Sequence, residues 1–223
     1  MRPYVLLSAA MSADGYLDDA SPQRLVLSGP EDLDRVDELR AGCDAILVGA
    51  GTVRADNPRL LVRDPGRRER RQRDGRPASP VKVTVTASGR LDPRARFFAA
   101  DGTDKLVYAA GPAADPLRDQ LAGAATVIGL AAGAALTDVL GDLAGRGVGR
   151  LLIEGGSRLL GQALGGGLAD ELQLAVAPVF VADPAAPRLL AGGPPPAPMR
   201  LAGLQQAGDV AVLRYLAGGL RDI

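Results

Sequence analysis

Two short runs carry residue types able to hold an anion, Val48-Gly-Ala-Gly-Thr52 and Ile153-Glu-Gly-Gly-Ser157. In each, an apolar stretch gives way to glycine where a helix is expected to begin. Glycine lets backbone N–H groups approach a phosphate closely, and a helix start adds partial positive charge, so each run suits a pyrophosphate. One such elbow alone is more often a structural turn; two in one chain favour a nucleotide. The densest polar constellation follows the first elbow, Thr52-Val-Arg-Ala-Asp-Asn-Pro-Arg-Leu-Leu-Val-Arg63. Thr52, Asp56 and Asn57 stand beside a proline turn that fixes their directions, with Arg59 and Arg63 beyond. A capped turn with exposed arginines is the alternative on composition alone. Ser88 and Arg90, in a turn after a strand, could hold a nucleotide's 2′-phosphate.

Several chemistries are excluded. The chain has no histidine and one cysteine, Cys43, so it lacks the usual ligands for zinc, iron or copper and any Ser-His-Asp or Cys-His machinery. A borrowed cofactor is then the simplest source of reactivity. The motif Gly49-x-Gly51 has Arg54 where a third glycine would complete a Rossmann fingerprint, and neither lysine, Lys82 or Lys105, follows a glycine loop as a Walker motif requires. Any dinucleotide is therefore held by another fold.

The elements that must position these residues follow from periodicity. Tyr4–Met11 reads as a buried strand ending in an Asp14-Gly15 turn, and Ser28-Gly-Pro-Glu31 has capping-box spacing ahead of a helix from about Pro30 to Ala41. Asp44–Gly49 reads as a buried strand, and Gly49–Thr52 as a tight turn. Residues 63–80 read as a polar loop, either a solvated surface excursion or a phosphate grip. Strands are expected at Val81–Thr86, Leu106–Ala109, Thr126–Gly129, Arg150–Glu154, Asp170–Pro178 and Val210–Tyr215. Helices are expected near Pro116–Leu121, from a Thr137 cap to about Ala144, and after Ser157. Pro194-Pro-Pro196 is placed in a loop. Alternating strands and helices predict an α/β fold with helices on both faces of a mostly parallel sheet, and final strands with no helix between them predict antiparallel pairing.

At 223 residues, one domain over 1–223 is expected. Lys plus Arg equal Asp plus Glu at 26 each, so the charge balance asks for no nucleic acid and no membrane partner. No stretch approaches the ~20 apolar residues that span a bilayer, and the apolar run near Met1 is short and meets charged turn residues at once. Cytoplasmic location is the expectation.

The run Leu39-Arg-Ala-Gly-Cys-Asp-Ala-Ile-Leu-Val-Gly49 through Asp56-Asn-Pro-Arg-Leu60 and Arg63, then Glu154-Gly155-Gly156, Leu168-Ala-Asp-Glu-Leu172 and Ala177-Pro178, resembles the RibD C-terminal reductase family. Asp14-Gly15 and the segment from Ser28 to Arg40 fit it too, so the likeness covers essentially the whole chain. The resemblance implies a dihydrofolate-reductase-like fold, a homodimer, and NADPH-dependent reduction of 5-amino-6-(5-phosphoribosylamino)uracil to its ribitylamino form. It implies cofactor contacts from Thr52, Asp56, Gly155, Gly156, Ser157, Arg158 and Leu159. It implies substrate contacts from Arg40, Asn57, Leu60, Arg63 and Glu154. Water, Glu154 or Asp56 would relay the proton. With no His and one Cys, the chain carries no zinc deaminase half, so a reductase alone is expected. A related NADPH reductase of another pterin-like or pathway-specific substrate, or a non-catalytic dinucleotide-binding protein of this fold, would carry the same features. Departures from the family pattern fall at Ser8, at Ser21–Leu27 and at Thr86-Ala87.

Overall fold

The computed structural model describes residues 1–21, 25–190 and 195–218. Among the described residues, nine strands and six α-helices follow one another: β1 (Tyr4–Ser12), α1 (Pro30–Ala41), β2 (Ala45–Gly49), α2 (Ala50–Asp56), α3 (Pro65–Arg73), β3 (Val81–Thr86), β4 (Lys105–Ala110), α4 (Ala114–Gln120), β5 (Thr126–Leu130), α5 (Leu136–Gly145), β6 (Arg150–Glu154), α6 (Ser157–Gly165), β7 (Glu171–Ala177), β8 (Met199–Ala207) and β9 (Val210–Ala217). The strands form a mixed, mostly parallel arrangement, ordered β5-β4-β3-β2 in one part of the chain and β1-β7-β9-β8 in the other. The expected α/β class and the antiparallel C-terminal pairing are both present.

The chain divides into two compact units, one of Met1–Pro3 and Asp37–Leu152, the other of Tyr4–Val36 and Ile153–Ile223. In the first, β2, β3, β4 and β5 pair in parallel. Residues 45–48, Ala-Ile-Leu-Val, are fully buried, which accounts for an apolar run without alternation. In the second, β1 pairs parallel with β7, and β9 runs antiparallel to both β7 and β8.

Residues 63–80, expected as a loop, contain α3. Asp64 caps the helix by accepting from the Arg67 N–H at 2.8 Å, and Pro65 occupies the first turn, where its missing N–H costs nothing. The Asp-Pro pair was the available signal; an apolar stripe was not, because the residue this helix buries is Arg71, 2% exposed. Its guanidinium donates to the carbonyls of Pro77, Ala41 and Cys43 at 2.7–2.8 Å, tying α3 to the link between α1 and β2. Burial pulls the Arg71 pKa down to about 10. Cys43 is buried in the same place, and burial pushes its thiol up to about 11, out of the nucleophilic range.

Four further corrections are local. Helix α1 starts at Pro30 with Leu33 N–H donating to Gly29 O, so Gly29, not Ser28, precedes it. The run Gly49–Thr52 is not a separate turn; α2 begins at Ala50, directly after β2. Helix α5 starts at Leu136 after Ala135, whose N–H donates to the Asp138 carboxylate, so Thr137 lies inside the helix rather than capping it. Strand β8 was not anticipated. Its Leu, Ala, Gly and Gln residues have little β preference, and Leu201 and Leu204 are exposed on an edge strand. The missed signal was Gly208-Asp209 ahead of Val210, with Gly208 at φ +60, a two-residue hairpin turn. Pro195 and Pro196 lie in a loop as expected, and Pro194 lies outside the described residues.

Unit two is held at the start of β7 by Glu171, 1% exposed. Its carboxylate accepts from Arg214 Nε at 2.7 Å, Tyr4 Oη at 2.9 Å and Gln173 Nε2 at 2.9 Å, joining β1, β7 and β9. Burial alone would raise its pKa, but these donors together hold it at about 2. A carboxyl depressed in the folded state stabilises above its unfolded pKa, here 4.5, and that contribution is lost as pH falls toward 2. Glu171→Gln is expected to cost about 2 kcal/mol at neutral pH, or roughly 4–8 °C in Tm. Denaturant titrations should show the gap between wild type and variant narrowing from pH 4.5 to 2; a gap independent of pH would refute the assignment.

Candidate active site

The first elbow lies in unit one. Gly49 ends β2 at φ −71°, ψ 151°, and α2 follows with no side chain capping its start. Nothing stands within 4 Å of the point a Cβ on Gly49 would occupy, so the backbone there faces open space. Buried Ala50 and Val53 seat α2, which leaves Thr52 half-buried on its first turn and Asp56 half-buried at its end. Asn57 closes the helix in the left-handed region and accepts the Arg96 N–H at 2.6 Å through Oδ1.

Parallel pairing sets Gly49 opposite Val85, so the chain leaves β3 beside the point where it leaves β2. The turn after β3 is shaped by Thr86, whose Oγ1 accepts from Gly89 N–H at 3.1 Å. Gly89 has φ +70, and a Cβ there would meet Ala113 Cβ at 3.3 Å. Ser88 Oγ accepts from Arg90 N–H at 3.4 Å, and Arg90 O accepts from Arg54 at 3.0 Å, which ties this turn to α2. Both Ser88 and Arg90 present exposed side chains.

The segment after Asn57 is fixed more tightly than the sequence suggested. Leu60 is 2% exposed yet sits at φ +52, a left-handed conformation that costs a leucine about 1–2 kcal/mol. Surrounding bonds hold it: Arg40 Nη1 donates to Leu61 O at 3.4 Å, and Val62 N–H donates to Ser79 Oγ at 3.1 Å. The amides of Arg63 and Asp64 donate to the two oxygens of Asp37, at 2.7 and 3.1 Å. The Arg63 side chain is about half exposed, with Nε 3.5 Å from Asp37. Burial would raise the Asp37 pKa, but the two amides and the guanidiniums of Arg67 and Arg63 hold it below the ordinary carboxylate value. Sequence reading passed over Asp37; its spacing three residues before Arg40 on α1 was the signal.

The second elbow lies in unit two. Glu154 is half-buried at the end of β6, and Gly155 and Gly156 follow at φ +72 and +49, conformations that side chains disfavour. Gly156 precedes α6 and its carbonyl accepts from the amides of Leu159 and Leu160. Leu159, Leu160, Ala163 and Leu164 are buried, so helical packing fixes the elbow, while Ser157 is half-buried and Arg158 exposed. Unit one thus gathers Thr52, Asp56, Asn57, Leu60, Arg63, Arg40, Ser88 and Arg90, and unit two holds Glu154 through Leu159. Of the departures, Ser8 is buried in β1 opposite Gln173, Thr86 shapes the turn after β3, and residues 22–24 lie outside the described residues.

A family model described as the RibD C-terminal domain matches residues 3–213. The 2,5-diamino-6-ribosylamino-4(3H)-pyrimidinone 5′-phosphate reductase of Methanothermobacter thermautotrophicus is 40% identical over 186 residues, covering 81% of this chain and 80% of that protein. Its counterpart from Archaeoglobus fulgidus is 35% identical over 192 residues, covering 86% and 88%. A crystal structure of a pyrimidine reductase-like protein from Corynebacterium diphtheriae superimposes with a TM-score of 0.84 at 25% identity, covering 96% of this chain and 91% of that one. Among the described residues no helix is long and apolar enough to cross a membrane. With the expected fold in place and these similarities running through both units, the chain belongs to the RibD C-terminal domain family, a family of nucleotide-dependent oxidoreductases.

Proposed function

We propose that this chain is the NADPH-dependent reductase of a phosphoribosylaminopyrimidine in riboflavin biosynthesis, acting through a single reductase domain as a cytoplasmic homodimer. The ring is 5-amino-6-(5-phosphoribosylamino)uracil, or its 2,5-diamino counterpart, which the names of the two archaeal relatives favour. The observation that carries the reading is the pairing of two adjacent strand exits in unit one: a side-chain-free Gly49 elbow, and beside it the Ser88–Arg90 turn tied back to α2 by Arg54. An open glycine backbone suits a pyrophosphate, and a serine and arginine on a neighbouring turn suit a ribose 2′-phosphate. Gly155 and Gly156, at φ +72 and +49, adopt successive conformations that a side chain would disfavour. Exposed Leu201 and Leu204 on edge strand β8 are consistent with the homodimer.

When bound, NADPH supplies a hydride, and C1′ of the opened ribosylamine accepts it to give the ribitylamine. In this reading Thr52, Asp56, Ser88, Arg90 and Gly155–Leu159 hold the coenzyme. Arg40, Asn57, Leu60, Arg63 and Glu154 hold the pyrimidine and its ribose phosphate. A forked guanidinium matches a phosphate, and a carboxylate at Glu154 can accept from a pyrimidine N–H or amine. The protein's main contribution is alignment, which can lower a barrier by about 7–11 kcal/mol at best. The proton for the substrate nitrogen passes through Glu154, Asp56 or water.

Purified protein given NADPH and either ring should oxidise the coenzyme and form the ribitylamino product, and comparing kcat/KM for the two rings identifies the one preferred. No turnover with either ring would overturn the reading. Thr52→Ala and Asp56→Ala should each weaken NADPH binding by roughly 5–30-fold and leave the pyrimidine Kd within about twofold, as expected for one lost hydrogen bond. Arg63→Ala should do the reverse, raising the pyrimidine Kd by about 10–100-fold through loss of a charged contact. Unchanged Kd values for both ligands in all three would remove the site assignment.

A further inference from the structure

We propose that Asp37 is a positioning residue for recognition of the substrate phosphate: it fixes the backbone from which Arg63 extends. The inference rests on the reading that Arg63 contacts the ribose phosphate.

The geometry differs from that of an ordinary ion pair. Each Asp37 oxygen accepts a backbone N–H, one from Arg63 and one from Asp64. Two amides of consecutive residues on one rigid carboxylate define both the place and the tilt of that stretch of chain. The side chain is 2% exposed, so water does not compete for these bonds, and Arg67 Nη1 at 3.1 Å supplies a further donor. The same helix reaches the segment at a second point, where Arg40 donates to Leu61 O. Between the two anchors and Asn57 lies Leu60, whose left-handed backbone persists only because its surroundings over-determine it. Arg63 thus leaves a backbone that is already ordered, and a long side chain with a fixed base loses less freedom when it grips an anion.

Charge and geometry make opposite predictions here. Asp37 is a carboxylate close to Arg63, so on charge alone its removal would strengthen attraction for a phosphate. If its task is to place the Arg63 backbone, removal weakens phosphate recognition despite the lost negative charge. Asparagine separates these cases, because its single carbonyl oxygen can accept one amide while its own NH2 opposes the other.

The test uses the full chain as wild type, Asp37→Asn, Asp37→Glu, Arg63→Ala, Arg67→Met and the Asp37→Asn/Arg63→Ala double variant. Each is assayed with the phosphorylated pyrimidine and with the same compound lacking its 5′-phosphate. Asp37→Asn should raise KM for the phosphorylated compound about tenfold, a typical cost for a lost charged contact. Its kcat, its NADPH KM and its KM for the dephosphorylated compound should stay within about threefold. Adding it to Arg63→Ala should bring little further change, since both act on one contact. Arg67→Met keeps both amide bonds and should match wild type. Asp37→Glu moves the carboxylate by one methylene and should shift KM in the same direction, providing a second reading if the asparagine variant does not fold. An unchanged or lowered KM, additivity with Arg63→Ala, or a loss spread equally over kcat, coenzyme and both pyrimidines would overturn the proposal. If wild type turns over neither ring, the functional reading fails instead, and ribose 5-phosphate binding is titrated calorimetrically. Wild type should then bind it about tenfold more tightly than Asp37→Asn; equal binding, or none, overturns the inference.

Discussion

Parallel strand pairing is the constraint on which the rest of unit one depends. A chain that returns through a helix to run beside itself in the same direction must leave every strand at the same edge of the sheet. The ends of β2 and β3 therefore stand side by side, in register from Ala45 with Val81 to Gly49 with Val85. Whatever follows those strands is brought together without any attraction of its own. The Gly49 elbow and the Ser88–Arg90 turn are neighbours for this reason, and Arg54 only secures an arrangement that the sheet already imposes.

The polar anchors are of a different kind. Asp37, Arg71 and Glu171 are all nearly inaccessible to solvent, and each satisfies several partners at once. A buried ion with a single partner is a poor source of stability, because desolvation offsets the attraction. A buried ion that engages several partners at once acts as a joint. Arg71 joins three carbonyls across the α1–β2 link and the chain after α3, Asp37 joins α1 to the segment before α3, and Glu171 joins β1, β7 and β9. The depressed pKa values of Asp37 and Glu171 follow from their donors outweighing burial. Lys82 and Lys105 extend the pattern, meeting the same Asp101 where β3 and β4 begin.

Conformational strain is concentrated around the candidate site. Two of the three non-glycine residues at positive φ among the described residues, Asn57 and Leu60, lie in the short stretch between α2 and Arg63. Asparagine tolerates that conformation through its short polar side chain; leucine does not, and it is held by burial and by bonds on either side. Such strain is characteristic of sites whose backbone must adopt one shape before a ligand arrives.

Most of the architecture was legible in the residues themselves. Buried strands announce themselves as continuous apolar runs, so β2 and β6 were readable to within a residue, while β3 was read from its alternation of Val with Lys and Thr and α1 from its apolar spacing. Gly49 was legible because glycine leaves its backbone open, the Gly155-Gly156 pair because glycine accepts positive φ, and the order of motifs was enough to suggest the family. Helix α3 escaped because what it buries is an arginine, and β8 escaped because edge strands carry weak periodicity. The sequence by itself determined the order of the elements other than α3 and β8, the positions of the glycine elbows, and the absence of histidine chemistry. Only the tertiary structure decided that Asp37 meets the amides of Arg63 and Asp64, because a hydrogen bond between residues 26 and 27 positions apart leaves no local pattern and exists only once α1 and the segment after α2 are packed together.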